Sequence, residues 1–232
     1  MTTIADNLLA VRARVAAACA AAGRPVNSVT LLAVSKTFDA ASVAQAIGAG
    51  QTCFGENYIQ EAIGKIQALR SAAVQWHCIG PVQSNKTRLV AQHFDWVQSV
   101  DRMKIAQRLS EHRPDHLLPL QVCIQVNIDG GATKSGVAPA DLAAMARELA
   151  ALPRLRLRGL MTIPEPAADF EAAVSVHRRT KRLFDDLKAA GLGLDTLSMG
   201  MSADLEAAIH AGSTMVRAGT AVFGVRARAS GP

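Results

Sequence analysis

The chain has 232 residues, half of them hydrophobic, and a formal net charge of +6. That length and apolar content suit one barrel-sized domain, residues 1–232, with a large core. They argue against a membrane span, because the alanine-rich stretch Val15–Ala22 is too short and too broken by Arg12, Arg14 and Arg24. A secretory signal layout is also lacking, so a cytoplasmic protein is expected.

Much of the positive charge lies in Arg154, Arg156, Arg158, Arg178, Arg179, Lys181 and Arg182. With only six Phe, two Trp and one Tyr in the chain, it reads as a solvated basic face and not as a nucleic-acid surface. Cys19, Cys53, Cys78 and Cys123 are widely spaced, without a Cys-x-x-Cys pair. They read as small buried hydrophobes in a reducing compartment, with no metal site implied.

In chain order, residues 2–22 carry Ile4, Leu8, Val11, Val15 and Cys19 on one helical face, ended by Gly23 and Pro25. Leu31–Val34 is a short buried strand that runs into Ser35, Lys36 and Thr37. A lysine at the end of such a strand either snorkels to water or serves as a low-pKa amine for Schiff-base chemistry. Ala40–Ile47 is a helix with Asp39 at its N-cap. The alternation then repeats. Strands are expected at 52–55, 75–80, 96–100, 120–127, 155–160, 196–199 and 214–217. Helices are expected at 58–69, 86–92, 103–112, 139–150 (opened by Pro139), 170–190 and 203–211. Eight strands alternating with helices through short loops predict one closed parallel (β/α)8 barrel, with an extra N-terminal helix. An open dinucleotide-binding sheet would need a Gly-x-Gly-x-x-Gly turn, which the sequence lacks.

Barrel chemistry sits where strands end. That rule singles out Lys36, Glu56, Asn57, His77, Gln83, Asn85, Lys86, Asn127, Lys134, Met161, Thr162, the stretch 198–202, Arg217, Gly219 and Thr220. The hydroxyls and glycines of Ser198-Met199-Gly200-Met201-Ser202 and Arg217-Ala218-Gly219-Thr220 suit an anion, and barrels often hold a phosphate after strands seven and eight. Ser202 also reads as a helix N-cap supported by Glu206. Glu56 reads as a helix N-terminal charge, and His77 as either a core histidine or a ring contact. A phosphate site facing a strand-one lysine admits a sugar phosphate, as in a Schiff-base aldolase, or pyridoxal 5′-phosphate (PLP).

Several stretches narrow that choice. They include Ala33-Val34-Ser35-Lys36-Thr37, Phe54-Gly55-Glu56-Asn57-Tyr58, the run from Trp76 to Lys86, and Lys134-Ser135-Gly136. Ser198–Ser202 and Gly212–Thr220 complete them. With these the chain closely resembles the YggS/PROSC family of PLP-binding proteins, the PLP homeostasis proteins. The resemblance implies a barrel like the alanine racemase N-terminal domain. It implies that Lys36 forms the Schiff base with PLP, Asn57 lies beside the ring, and Ser202, Gly219 and Thr220 hold the phosphate. It further implies that Arg217 faces the pyridine nitrogen, which a fixed cation disfavours protonating. Racemases add a tyrosine base from a following domain, and the sole tyrosine here is Tyr58. The expectation is therefore a monomeric PLP holder without catalytic residues that passes PLP to PLP-dependent apoenzymes. A weak amino-acid racemase is the alternative, and Lys86 or Lys134 offers a possible second amine. Within the loop 129–136, the stretch Asp129-Gly130-Gly131-Ala132-Thr133 carries more glycine and less acid than is usual in the family.

Overall fold

The strands are short and largely buried, and the computed structural model, which describes residues 2–131 and 135–224, closes them into a parallel barrel. The strands are β1 (Thr30–Val34), β2 (Cys53–Glu56), β3 (Gln75–Cys78), β4 (Trp96–Val100), β5 (Leu120–Gln125), β6 (Leu155–Met161), β7 (Thr196–Met201) and β8 (Met215–Ala218). They pair in sequence order, and β8 closes on β1 with Thr30 beside Met215 and Ala33 beside Ala218. Closure leaves no sheet edge to protect. Lys134 and the centre of its loop lie outside the described residues.

The helices are α1 (Ile4–Ala21), α2 (Ala40–Gly48), α3 (Ile59–Ala68), α4 (Thr87–His93), α5 (Met103–His112), α6 (Leu142–Ala150), α7 (Phe170–Ala189), α8 (Leu205–His210) and α9 (Thr220–Phe223). The helices bury apolar residues against their neighbours, and α1 packs on α2, α8 and α9. On α7 the buried face is Ala173, Val174, His177, Thr180, Phe184 and Leu187, at three- and four-residue spacing. Among the described residues, no helix is long and apolar enough to cross a membrane.

Local chemistry explains the ends. Asp39 caps α2 by accepting from the Ser42 N–H at 2.8 Å, as its position predicts. Thr3 and Asp6 form a capping box on α1, with the Asp6 N–H 3.1 Å from Thr3 Oγ1 and the Thr3 N–H 3.0 Å from Asp6 Oδ2.

Three local expectations change. Strand β5 stops at Gln125, because the chain doubles back and Val137 takes up a parallel bridge to Val126. Helix α6 begins at Leu142 and not at Pro139, since residues 138–141 form a turn closed by the Asp141 N–H on the Ala138 carbonyl. Ser202 does not cap α8: Asp204 holds that position, while Glu206 pairs with Arg14.

Candidate functional site

A cavity of about 320 Å³ opens at the C-terminal ends of β1, β2, β7 and β8. Its volume falls within the range of small-molecule sites. Lys36, Asn57, Ser202, Arg217, Gly219 and Thr220 all line it, together with Val34 and Ile79. The six residues expected to hold a cofactor thus border one space, although they span positions 36 to 220. Lys36 and Arg217 are the ionisable groups among the described lining residues.

Lys36 sits on a tight turn. The Phe38 N–H reaches back to the Ser35 carbonyl at 3.1 Å, and Thr37 adopts φ +72°. A β-branched residue rarely takes that conformation, so something must hold it. The clamp comes from α3 and β2. Lys65 Nζ donates to the Ser35 carbonyl at 2.7 Å, to Glu56 Oε1 at 2.7 Å and to Glu61 Oε1 at 2.6 Å. Glu61 Oε1 also accepts from the Thr37 N–H at 2.6 Å, and Ser35 Oγ donates to Glu56 Oε1 at 2.6 Å. Glu56 and Lys65 are both buried. Burial pushes the Glu56 carboxyl above its usual range, and the bonds from Lys65 and Ser35 oppose that rise. Glu56 is therefore part of a buried ionic clamp, which corrects its reading as a helix-terminus charge. Lys36 itself is exposed and makes no hydrogen bond or ion pair among the described residues.

Arg217 is held differently. It is 3 % exposed. Its Nη1 donates to the Ser198 carbonyl and to Ser198 Oγ, each at 2.8 Å, and its Nη2 donates to the Thr162 carbonyl at 2.8 Å. Desolvation lowers its pKa to about 10, which leaves it charged at neutral pH. The loop carrying Ser202 is tied from three sides. Asp204 accepts from the Met201 N–H at 2.6 Å and bonds His177 Nε2 at 2.9 Å, and Arg14 Nη2 donates to the Ser202 carbonyl at 3.0 Å.

Two features leave room for a ligand. Asn57 Oδ1 is buried without a hydrogen-bond partner among the described residues. At Gly219, a Cβ would come within 3.3 Å of the Val34 carbonyl, so a side chain there would press on the cavity wall.

The other sequence candidates fall elsewhere. His77 is fully buried inside the barrel, where burial lowers its pKa to about 3, so it is a neutral core histidine. Gln83 and Asn85 are exposed and Lys86 closes a 3-10 turn; none lines the cavity. Asn127 folds its own loop, donating to the Gly131 carbonyl at 2.9 Å. Sequence reasoning missed Glu61, Lys65 and Arg14. The four-residue spacing of Glu61 and Lys65 on α3 was the available signal, but it does not reveal burial.

Residues 7–227 match the family model of the alanine racemase N-terminal domain, so fold and site define a barrel of that class. The chain is 59 % identical over 226 residues to a pyridoxal phosphate homeostasis protein of Pseudomonas aeruginosa, covering 97 % of both chains. It is 52 % identical over 229 residues to one of Escherichia coli K12, covering 97 % of this chain and 98 % of that one. The solved structure of PipY from Synechococcus elongatus, with PLP bound, superposes with a TM-score of 0.84 at 36 % identity. That match covers 96 % of this chain and 100 % of PipY. The chain belongs to the pyridoxal phosphate homeostasis protein family.

Proposed function

We propose that this chain binds PLP in the Lys36 cavity and takes part in intracellular PLP homeostasis as a holder of the cofactor and not as a catalyst. The observation that carries the reading is the pairing in one cavity of an amine without a hydrogen-bond partner among the described residues, Lys36, and a buried, fully oriented cation, Arg217. When bound, PLP supplies an aldehyde that condenses with a primary amine, a phosphate, and a pyridine nitrogen. Lys36 offers the amine. Ser202 and Thr220 offer hydroxyls and Gly219 a backbone N–H to the phosphate. Asn57 would lie beside the ring, and Arg217 would turn its remaining N–H groups to the ring nitrogen. A guanidinium donates and does not accept, so it favours an unprotonated ring nitrogen and a weaker electron sink.

The absence of a second base among the described lining residues supports a holder. Proton exchange on both faces of a substrate carbon needs two groups, and Tyr58 lies outside the cavity. The relatives named as homeostasis proteins support the same reading. We read residues 1–232 as one PLP-binding domain that acts as a monomer. Its cytoplasmic setting fits four free thiols, and PLP-dependent apoenzymes are the acceptors.

Borohydride reduction of the PLP-loaded protein followed by peptide mapping tests this. The label is expected on Lys36, and Lys36→Ala is expected to be colourless. A label confined to Lys86 or Lys134, or rapid deuterium exchange at the Cα of amino acids, would overturn the holder as described.

A further inference from the structure

Inside the barrel, beneath the cavity, four polar side chains form one continuous chain across β8, β7, β4 and β3. Arg217 Nη1 lies 2.8 Å from Ser198 Oγ, Ser198 Oγ lies 2.7 Å from Gln98 Oε1, and Gln98 Nε2 lies 2.9 Å from His77 Nδ1. Ser198, Gln98 and His77 are all fully buried. Polar groups in a dry barrel interior are costly, and apolar residues of similar size would fill the same space.

The Gln98 amide, with its oxygen on Ser198 and its nitrogen on His77, sets the direction of the bonds. A guanidinium can only donate. Ser198 Oγ therefore accepts from Arg217, and its single hydrogen goes to Gln98 Oε1. With its oxygen engaged there, the Gln98 amide turns its NH2 to His77, whose Nδ1 must accept. His77 is consequently neutral, with its proton on Nε2. Its ring is fixed by stacking on Trp96 at 5.0 Å, and the Arg158 guanidinium lies 4.8 Å from the Trp96 ring centre. The second Gln98 N–H points to Met215 Sδ at 3.1 Å. The chain has one hydrogen order, and none of its members exchanges a proton near neutral pH.

We propose that Gln98 is a positioning residue for Arg217: through Ser198 it fixes the guanidinium so that its unused N–H groups serve the cavity, and so sets the protonation of a PLP ring held there. This rests on the proposed cofactor role. Both Nη1 hydrogens go to Ser198 and one Nη2 hydrogen to Thr162, so one Nη2–H and the Nε–H remain for a ligand. If Ser198 Oγ lost its acceptor, it could rotate and give up its bond from Nη1, leaving the guanidinium held only by the Ser198 and Thr162 carbonyls and freer to tilt in the cavity. The titratable and charged groups around Arg217 are Asp204 and Cys123, which act on it through space, and Lys36, which shares its cavity. Burial raises the Asp204 carboxyl, but the bonds from His177 and the Met201 N–H outweigh it and the net direction is down. Burial drives the Cys123 thiol up to about 12. Neither group therefore titrates near neutral pH.

The test uses the full chain loaded with PLP. Gln98→Leu is made alone and together with Arg217→Met, and the visible absorbance band is titrated with pH in each. Melting of each variant is measured without PLP. Gln98→Leu alone is expected to shift the midpoint of the titration by ~0.5 unit or more and to weaken PLP retention about tenfold. In the Arg217→Met background it is expected to add no further shift, because a residue acting through Arg217 has nothing left to act on. An equal shift in both backgrounds, or none with Arg217 present, overturns the proposal while leaving PLP binding intact. If Gln98→Leu does not fold, Ser198→Ala removes the hydroxyl that joins Gln98 to Arg217 and is read in the same way. A parent protein that takes up no PLP overturns both this inference and the proposed function.

Discussion

Lys65 Nζ lies 2.7 Å from the carbonyl oxygen of Ser35, the residue immediately before Lys36. A buried cation on α3 therefore holds the backbone that carries the exposed amine. The same ammonium bonds Glu56 and Glu61, and Glu61 in turn takes the Thr37 N–H. The positive φ of Thr37 is the conformation this clamp enforces.

Lys65→Met strands a buried carboxylate. Glu56 would keep only Ser35 as a partner in a fully buried position. Breaking one side of a buried ion pair costs about 3–5 kcal/mol. Thermal melting should fall on the order of 10 °C, and PLP uptake should fall with it as the Lys36 turn relaxes. A melting temperature within a degree or two of the parent (~1 kcal/mol or less,) would show that the clamp carries little load.

Gly80→Ala tests the packing of one loop on another. A Cβ there would lie 2.4 Å from the Asn57 carbonyl oxygen and 2.7 Å from its Cα. Both atoms are backbone, so the 57 loop must shift. A cost of about 1–3 kcal/mol is expected, and Asn57 should move off the cavity wall. Equilibrium dialysis against PLP should show weaker binding than the stability loss alone explains.

Arg14→Ala separates binding from stability. Its pair with Glu206 is more than one-third exposed on both sides, so solvent screening keeps its own contribution at about 0–1 kcal/mol. The same guanidinium holds the Ser202 carbonyl. Melting should barely change, whereas PLP affinity should drop severalfold. An unchanged affinity would remove α1 from any role at the cavity.

His77 makes stability depend on pH. Its folded-state pKa is depressed to about 3 by burial, from an ordinary value of 6.5. The unfolded chain therefore binds a proton between those values that the folded chain refuses. The contribution is complete above pH 6.5 and is lost progressively as pH falls towards 3. Urea unfolding at neutral pH and near pH 5 should show a loss on the order of 1–2 kcal/mol from this group. His77→Gln, which keeps an acceptor for Gln98, should shrink that loss. An identical loss in the variant would assign it to other groups.

Much of the scaffold is legible in the sequence because burial leaves local patterns. The apolar run at 31–34, the fully buried stretch 96–100 and the alternating Val122, Ile124 and Val126 mark strands, and Asp39 marks the helix start it caps. The errors fall where non-local contacts override local signals. Val137 pairs with Val126 and cuts β5 short. Asp204, tied to His177 on α7, takes the cap that Ser202 was expected to supply.

The sequence by itself determined the alternation of elements, the closed barrel it implies, and the strand ends where Lys36, Asn57, Ser202, Gly219 and Thr220 gather. These follow from periodicity and from the rule that places chemistry at strand ends, and the family motifs added a cofactor to them. Only the tertiary structure decided what orients those groups. Gln98 and Ser198 are separated by 100 positions, and Lys65 and Ser35 by 30. Closure of the ring brings the first pair together across the interior, and the packing of α3 brings the second. A hydrogen bond needs its partners within about 3 Å, and no spacing along the chain encodes that distance. The sequence therefore locates the amine and the cation, while the fold alone shows what holds each of them in place.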